Sequence, residues 1–180
     1  MFNYELDDLI EVDKINIFLN PNEKNAIVIL GNKKYKYALP IWIGLWEADM
    51  LEIALLQGIP PRPLPYDLFL NLCELTNTKV NRVIIYGMEN STYLALIELE
   101  RDGEIIYLDS RPSDALNIAV RAEAPIYVSR KLFEKEGISF EEALELSNYL
   151  GNFEEIEESE FELEELKDFE DFRSSKKKPH

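Results

Sequence analysis

The chain has 180 residues, a hydrophobic fraction of 46% and a formal net charge of −16, with 35 acidic residues against 19 basic ones. This length suffices for one sizeable core, or for one domain with an appendage. The acidic balance argues against a high-affinity, non-specific nucleic-acid binder, because such proteins carry clustered Lys and Arg. A nucleic-acid substrate would need a local basic patch or a bridging divalent metal.

The chain contains one cysteine, Cys73, and one histidine, His180. A single cysteine excludes an internal disulfide, and its place on the apolar side of a predicted helix favours a buried thiol over a nucleophile. Metal sites built from His and Cys are excluded, so any metal would need oxygen ligands, which favours Mg²⁺, Mn²⁺ or Ca²⁺. No apolar run is long enough to cross a bilayer, and the acidic start is unlike a signal peptide. We therefore expect a soluble, cytoplasmic protein.

Three strands joined by short turns are predicted in residues 14–43. They are Lys14–Leu19, Ala26–Leu30 and Tyr35–Ile43. Gly44 breaks the last strand, and the segment WEADMLEIALLQ predicts a helix that ends at Gly58. Glu47 falls in the first turn of this helix, where it is either a solvated carboxylate favoured by the helix dipole or a ligand or acid in a functional site.

The segment IPPRPLPYD has four prolines among nine residues. It predicts a stiff connector that holds Arg62 in a defined place and delivers Pro65 to the start of another helix. Tyr66 and Asp67 occupy the first turn of that helix. A leucine stripe at helical spacing, with Phe69 and Cys73 beside it, predicts that the helix packs on the core; the stripe consists of Leu68, Leu72 and Leu75.

A meander of three further strands is predicted, with Asp102-Gly103 as a hairpin signal. The strands are Val80–Tyr86, Thr92–Glu100 and Glu104–Asp109. The chain then turns into a helix with an apolar face and stops before Pro125, after which Ile126–Val128 is predicted to be another strand.

The corner between the last meander strand and this helix is polar. Asp109, Arg111, Ser113 and Asp114 gather where the free N–H groups of the helix emerge, and such corners are common places for chemistry. A structural interpretation is also open, because Ser110 or Ser113 could cap the helix, Asp114 could complement its dipole and Arg111 could brace Asp109. Two carboxylates and an arginine within six positions exceed what one cap requires.

A short helix through Glu136 and a capping box at Ser139–Glu142 are predicted next, followed by a helix to about Leu150. Two groups of strands with helices between them predict an α+β domain, in which helices pack on a mixed, largely antiparallel sheet. We assign residues 1–150 to one compact domain. Residues 151–180 are predicted to be an acidic tail, partly helical or disordered, that either solvates the chain or binds a basic partner.

Three segments together resemble the signature blocks of the bifunctional nuclease family. They are LPIWIGLWEA (residues 39–48), PRPLPYDL (61–68) and DSRPSDALNIAVRAEAPIYV (109–128). Their order and approximate spacing match, and the resemblance covers roughly residues 12–140. It implies a compact α+β domain, usually an oligomer, to which cleavage of both DNA and RNA has been attributed. The family commonly has Thr-His where this chain has Pro65-Tyr66, and a tyrosine is not an equivalent base.

The resemblance also implies site residues, carried over position by position. The expected catalytic carboxylates are Glu47, Asp67, Asp109 and Asp114. The expected phosphate-binding groups are Arg62, Arg111 and Ser113. In this hypothesis Asp109 and Asp114 are ligands of Mg²⁺ or Mn²⁺, which assists phosphodiester hydrolysis of DNA or RNA. The arginines would bind the phosphate and stabilise the transition state.

A competing hypothesis is a non-catalytic regulatory or scaffold module. In it Arg62 pairs with Asp67, and Arg111 pairs with Asp109 or Asp114, so that ion pairs lock the helix starts and a subunit interface. A third hypothesis is a site for a small molecule or anion at the helix start beside Arg111.

Overall fold

The computed structural model describes residues 6, 8–20, 24–34 and 37–150, without the side chains of residues 147–150. Its strands are β1 (Leu9–Glu11), β2 (Lys14–Asn20), β3 (Asn25–Asn32), β4 (Tyr37–Gly44), β5 (Thr78–Glu89), β6 (Thr92–Arg101), β7 (Glu104–Ser110), β8 (Ile126–Ser129) and β9 (Ile138–Ser139). Its helices are α1 (Leu45–Leu55), α2 (Pro65–Leu75), α3 (Pro112–Arg121), α4 (Arg130–Glu136) and α5 (Phe140–Leu150).

The strands form two sheets. The large sheet has the order β1-β8-β5-β6-β7, and the small sheet has the order β2-β3-β4-β9. Only the β5–β8 pair of the described strands is parallel, since the chain crosses over through α3 before β8. The predicted α+β fold with mixed, largely antiparallel pairing is confirmed. The strands are divided between two sheets because the two predicted groups of strands pair mainly within themselves.

The main hydrophobic core lies between the sheets and the first and third helices. The predicted apolar face of α3 is confirmed, since Ala115, Leu116 and Ala119 are fully buried. A second, smaller cluster joins the small sheet to α5 through Ile27, Ile29, Ala38 and Ala143. This arrangement fixes the start of α3 beside the starts of the other helices that pack on it.

The predicted packing of α2 on the core is confirmed for Phe69 and Cys73, but it is wrong for the leucine stripe beside them. Leu68, Leu72 and Leu75 have exposed fractions of 57%, 59% and 83%. The helix instead buries the opposite side, which carries Tyr66 and Cys73. The helical spacing predicted an apolar stripe correctly. The helix has two apolar stripes, however, and the one that contains Tyr66 is the one that packs against the rest of the fold.

The predicted acidic tail, residues 151–180, lies outside the described residues, and the boundary at residue 150 stays a prediction. Among the residues that are described, no helix is both long and apolar enough to span a membrane.

A candidate active site at the start of helix α3

Three helices begin close to one another at this site. Arg111 has an extended conformation as the residue before α3, with φ −68° and ψ 146°, and Pro112 opens the helix. Glu47 lies in the first turn of α1, and Asp67 lies in the first turn of α2. Because helix N-termini carry partial positive charge, each start stabilises the carboxylate in its first turn. The polar corner predicted from the sequence is therefore joined by two other helix starts.

The guanidinium of Arg111 binds two carboxylates at once. Its Nε lies 2.7 Å from Oδ2 of Asp114, and its Nη2 lies 3.0 Å from Oδ1 of the same residue. Its Nη1 lies 2.9 Å from Oε1 of Glu47. A guanidinium has five N–H donors, so these contacts leave two unused. The Arg111 side chain is 63% exposed, and the unused donors can therefore reach an anion in solvent.

Tyr66 stabilises the contact between Arg111 and Asp114 by donating a hydrogen bond to Asp114. Its hydroxyl donates to Oδ1 of Asp114 at 2.9 Å, and its ring packs at 5.9 Å from that of Trp46. Burial, together with the hydrogen bond to Asp114, holds the pKa of Tyr66 far above its usual value. The phenol therefore stays protonated and does not replace a histidine as a base.

The pKa of Asp114 has the opposite shift. Burial of Asp114 raises its pKa, but the hydrogen bonds from Arg111 and Tyr66 outweigh burial, so the pKa lies below its usual value of 3.8. Asp114 is thus an ionised carboxylate that holds Arg111 in place. A carboxylate with three donors and a lowered pKa is a weak proton acceptor.

A second network lies behind the site and is centred on Arg121, whose side chain is only 8% exposed. Its Nε lies 3.1 Å from Oδ1 of Asp67, its Nη1 lies 2.8 Å from Oδ1 of Asn117, and its Nη2 lies 2.8 Å from the carbonyl oxygen of Met50. Its guanidinium also lies over the ring of Tyr66, 5.2 Å from the ring centre. This network joins the three helices through one buried cation.

Asp67 belongs to this second network. Besides Arg121, it accepts a hydrogen bond at 2.7 Å from the backbone N–H of Leu64, so it also caps α2. The hypothetical Arg62–Asp67 ion pair is wrong, because Arg62 is exposed and has no side-chain partner within the described part of the chain. Its place in the pair is taken by Arg121, which lies 54 residues from Asp67.

Asn117 links the two helices that carry the site. It is fully buried, and its Nδ2 donates to the carbonyl oxygens of Glu47 and Ser113, each at 3.0 Å. Sequence analysis missed Asn117 and Arg121. The available signal was a pair of polar residues four positions apart on an amphipathic helix, a spacing that places them on one face.

The comparisons with known proteins agree with this geometry. The model of the bifunctional nuclease domain matches residues 28–141, which include the starts of all three helices. The chain belongs to the bifunctional nuclease family.

Relatives within this family come from bacteria and plants. An uncharacterised protein of Mycobacterium tuberculosis is 31% identical over 129 residues, which are 71% of this chain and 76% of the relative. Bifunctional nuclease 1 of Oryza sativa subsp. indica is 30% identical over 131 residues, which are 71% of this chain and 40% of the plant protein. Bifunctional nuclease 1 of Arabidopsis thaliana is 30% identical over 125 residues, 68% of this chain and 38% of its own length.

The signature residues of the bifunctional nuclease family are only partly brought together. Glu47, Arg111 and Asp114 meet through direct contacts. Asp109 is exposed at the end of β7 and makes no side-chain hydrogen bond or ion pair with the described residues. Ser113 is buried in the first turn of α3, where its carbonyl oxygen accepts from Asn117.

The carboxylates do not form a ready metal site. Across residues 6, 8–20, 24–34 and 37–146, no group of three or more His, Cys, Asp or Glu side chains could hold a metal ion. Both oxygens of Asp114 and one oxygen of Glu47 are instead bound to Arg111 or Tyr66. The described residues therefore do not fit a preformed Mg²⁺ or Mn²⁺ centre, and the metal requirement stays a prediction.

Replacing Tyr66 by phenylalanine tests the support that its hydroxyl gives to Asp114. We expect the free energy of unfolding to fall by about 1.5 kcal/mol at pH 7, because a hydrogen bond to a charged acceptor is lost while the ring remains. Since the folded-state pKa of Asp114 is lowered, its contribution is fully present above pH 3.8 and is lost as pH falls through the folded-state value. The difference in the free energy of unfolding between the wild-type protein and Tyr66→Phe should therefore become smaller as the pH falls.

Denaturant unfolding of both proteins between pH 7 and pH 3 measures this deficit. Tyr127→Phe is the matched control, since the Tyr127 hydroxyl has no hydrogen-bond partner among the described residues while its ring faces Arg82 in the same way as that of Tyr66 faces Arg121. An unchanged free energy for Tyr66→Phe at pH 7, or a deficit that grows in acid, would contradict the prediction.

Proposed function

We propose that this member of the bifunctional nuclease family hydrolyses phosphodiester bonds of DNA, RNA or both at the corner formed by Glu47, Arg111 and Asp114. The observation that carries the proposal is the guanidinium of Arg111, which is 63% exposed and has two unused donors. A forked cation held rigidly at a helix start suits a phosphate group. The family match and the names of the plant relatives support nucleic acid as the substrate.

Each residue of the corner has a distinct role in the proposal. Arg111 binds the phosphate and stabilises charge that builds on its oxygens. Asp114 holds Arg111 in a bidentate grip, and Tyr66 holds Asp114. Glu47 has one oxygen on Arg111, and its other oxygen accepts a proton from the attacking water.

The charge of the corner explains why a divalent cation belongs to the proposal. Two carboxylates surround one guanidinium, so the local charge does not by itself attract a phosphodiester. Mg²⁺ or Mn²⁺ would offset this charge, and Asp109 is the signature carboxylate that the described residues leave free to bind it. The ion is proposed as a requirement of the reaction.

The test is hydrolysis of single-stranded DNA and RNA by the purified full chain, with Mg²⁺, with Mn²⁺ and with a chelator. We expect cleavage that depends on the metal and that Glu47→Gln and Asp114→Asn lower while the fold is kept. Absence of cleavage by the wild-type protein under all of these conditions would overturn the proposal. Cleavage that both variants retain in full would assign it to a contaminant.

Gly44→Ala tests the position of the Glu47 carboxylate without removing a functional group. A Cβ at Gly44 would collide with Oε2 of Glu47. The carboxylate must then move, and we expect kcat to fall by about 10- to 100-fold, because small displacements of a catalytic group are costly. Gly87→Ala is the matched control, since its Cβ would meet only Leu94 at an ordinary 3.9 Å. Equal activity of the two variants would argue against Glu47 as the proton acceptor.

A non-catalytic scaffold module is the second candidate function. The observation that favours it is that Arg111 and Arg121 tie the starts of α1, α2 and α3 together through ion pairs with Asp114 and Asp67. A protein that binds inorganic phosphate or a nucleic acid but never cleaves it would support this candidate or a plain anion site. The two functions are separated by the hydrolysis assay above.

The proposal extends to the setting of the protein. We place it in the cytoplasm as a homo-oligomer, with residues 151–180 as the segment that would engage a basic partner through its eleven acids between residues 154 and 171.

A further inference from the structure

Trp46 is a large aromatic side chain that is left half exposed at the start of helix α1. It precedes Glu47 in the first turn, and 50% of its surface is exposed. The helix packs on the core through Ala48 and Leu51. Because successive residues of an α-helix are about 100° apart, Trp46 lies on nearly the opposite side of the helix from Ala48. The packing of the core therefore leaves this ring at the surface.

The ring of Trp46 is held in place by a buried neighbour. Its centre lies 5.9 Å from that of the Tyr66 ring, and the two planes are inclined by 36°. Tyr66 is only 6% exposed, and its orientation is fixed by the hydrogen bond to Asp114 and by the guanidinium of Arg121, which lies over its ring at 5.2 Å. Trp46 is thus positioned by a rigid partner while half of its surface faces solvent.

The ring of Trp46 and the guanidinium of Arg111 belong to the same corner. Glu47 follows Trp46 directly in the chain, and its Oε1 lies 2.9 Å from Nη1 of Arg111. Tyr66, which contacts Trp46, donates to Asp114, and Asp114 binds Nε of Arg111 at 2.7 Å. An exposed aromatic ring and an exposed cation are therefore neighbours on one surface.

A nucleotide carries a matching pair of groups. Its phosphate suits the cation, its flat base suits the ring, and a single sugar joins the two. Proteins that bind single strands combine cations that contact the backbone with aromatic side chains on which bases stack. A base inside a duplex has both faces covered by its neighbours, so only an unpaired or extruded base can reach such a ring. The pair of groups at this corner therefore fits a single strand.

We propose that Trp46 binds one unpaired base by stacking, next to the phosphate that Arg111 binds, so that the corner takes single-stranded segments in preference to duplexes. This inference rests on the proposed function for the nature of the ligand, a nucleic acid, and not for its cleavage. Every base has a π-face, so the ring accepts DNA and RNA alike.

The charge of the chain supports a stacking contact. A formal net charge of −16 weakens the attraction that a phosphate backbone would feel. Stacking on an uncharged ring does not depend on that charge. Trp46 therefore supplies affinity for a nucleic acid that the acidic surface cannot supply.

Tryptophan fluorescence tests the contact directly, because Trp42 and Trp46 are the two tryptophans of the chain. Trp42→Phe leaves Trp46 as the fluorophore, and its emission should be quenched when a single strand of about ten thymidylates is added. Trp46→Phe leaves Trp42, whose emission should stay unchanged. The full chain is used, with Mg²⁺ and with a chelator, and the initial signal after mixing reports binding before products accumulate.

Trp42 is a matched control for Trp46. It is equally exposed, at 51%, but it lies elsewhere. Its register partner Ile27 belongs to the apolar cluster on the face of the small sheet that packs on α5, whereas α1 packs on the other face. Trp42→Ala should therefore leave the affinity for the strand unchanged.

The affinity for a labelled strand, measured by fluorescence anisotropy, tests the size of the contribution. Trp46→Ala should raise Kd by about 5- to 100-fold, the range expected for the loss of one stacked base. Trp46→Phe should keep part of the affinity, whereas Trp46→Leu, which is apolar but has no π-face, should bind as weakly as Trp46→Ala. A strand with the same phosphates and no bases should bind weakly and should not respond to Trp46→Ala.

The outcomes separate this inference from the proposed hydrolysis. Binding with quenching but without cleavage would support stacking and overturn the hydrolysis. Cleavage by a protein whose affinity does not respond to Trp46→Ala would overturn stacking alone. Equal quenching of the two single-tryptophan proteins, equal binding of strands with and without bases, or no binding of any strand would also overturn it. Where Trp46→Ala does not fold, equal affinities of Trp46→Phe and Trp46→Leu would decide against the proposal.

Discussion

Replacing Arg111 by alanine is expected to lower kcat/KM for nucleic-acid hydrolysis by about 100- to 1,000-fold, the cost of removing one strong donor to a developing oxyanion. The variant loses the exposed guanidinium that is proposed to bind the phosphate. It also leaves Glu47 and Asp114 as two carboxylates without their shared cation. Arg111→Lys should restore little activity, because an ammonium cannot reproduce the forked contact with Asp114 and Glu47.

Arg101→Ala is the control for this variant. Arg101 is also exposed and paired with an acid, but it ends β6 opposite Glu104, the first residue of β7, and so lies roughly 20 Å from Arg111 along the strand. It should keep full activity. Hydrolysis by Arg111→Ala within threefold of the wild-type rate, in a protein with an unchanged circular dichroism spectrum, would remove Arg111 from the proposed site and favour the scaffold function.

Replacing Arg121 by methionine is expected to lower the free energy of unfolding by about 3 kcal/mol. The reason is that removing one partner of a buried ion pair leaves the other partner buried without a compensating charge. The Arg121 side chain is 8% exposed and binds Asp67, Asn117 and the carbonyl oxygen of Met50. Methionine keeps most of the side-chain volume, so the loss is one of charge and hydrogen bonds. Denaturant unfolding at pH 7 measures it.

A double-mutant cycle separates the parts of this loss. Asp67→Asn combined with Arg121→Met should cost less than the sum of the single variants, since both remove the same pair. Arg101→Ala should cost less than about 1 kcal/mol, because the Arg101–Asp102 pair is exposed. If Arg121→Met is no more destabilising than Arg101→Ala, the buried network does not hold the three helices together.

Local sequence patterns predicted the strands and helix starts well. The hairpin turn at Asp102-Gly103 and the helix starts at Gly44, Pro65 and Pro112 were all found from residue type alone. Each is a local preference of the backbone, which a few neighbouring residues satisfy without help from the rest of the chain. The strand β1 was missed because its three residues are too short to show an alternating pattern.

The part of the site that was predicted from the sequence also depends on local backbone geometry. Arg111 and Asp114 are three positions apart at a helix start, so their ion pair follows from helix geometry. The other contacts join distant segments: Tyr66 meets Asp114 across 48 residues, and Arg121 meets Asp67 across 54. No local pattern distinguishes Arg121 from Arg62 as the partner of Asp67.

The sequence by itself determined the acidic balance, the family and the position of the polar corner between β7 and α3. Only the tertiary structure decided which arginine pairs with Asp67, that the leucine stripe of α2 faces outward and that β7 lies at the edge of the large sheet. The physical reason is common to all three. Burial and pairing depend on which elements pack together, and that choice is made by the free energy of the whole core, not by any one segment.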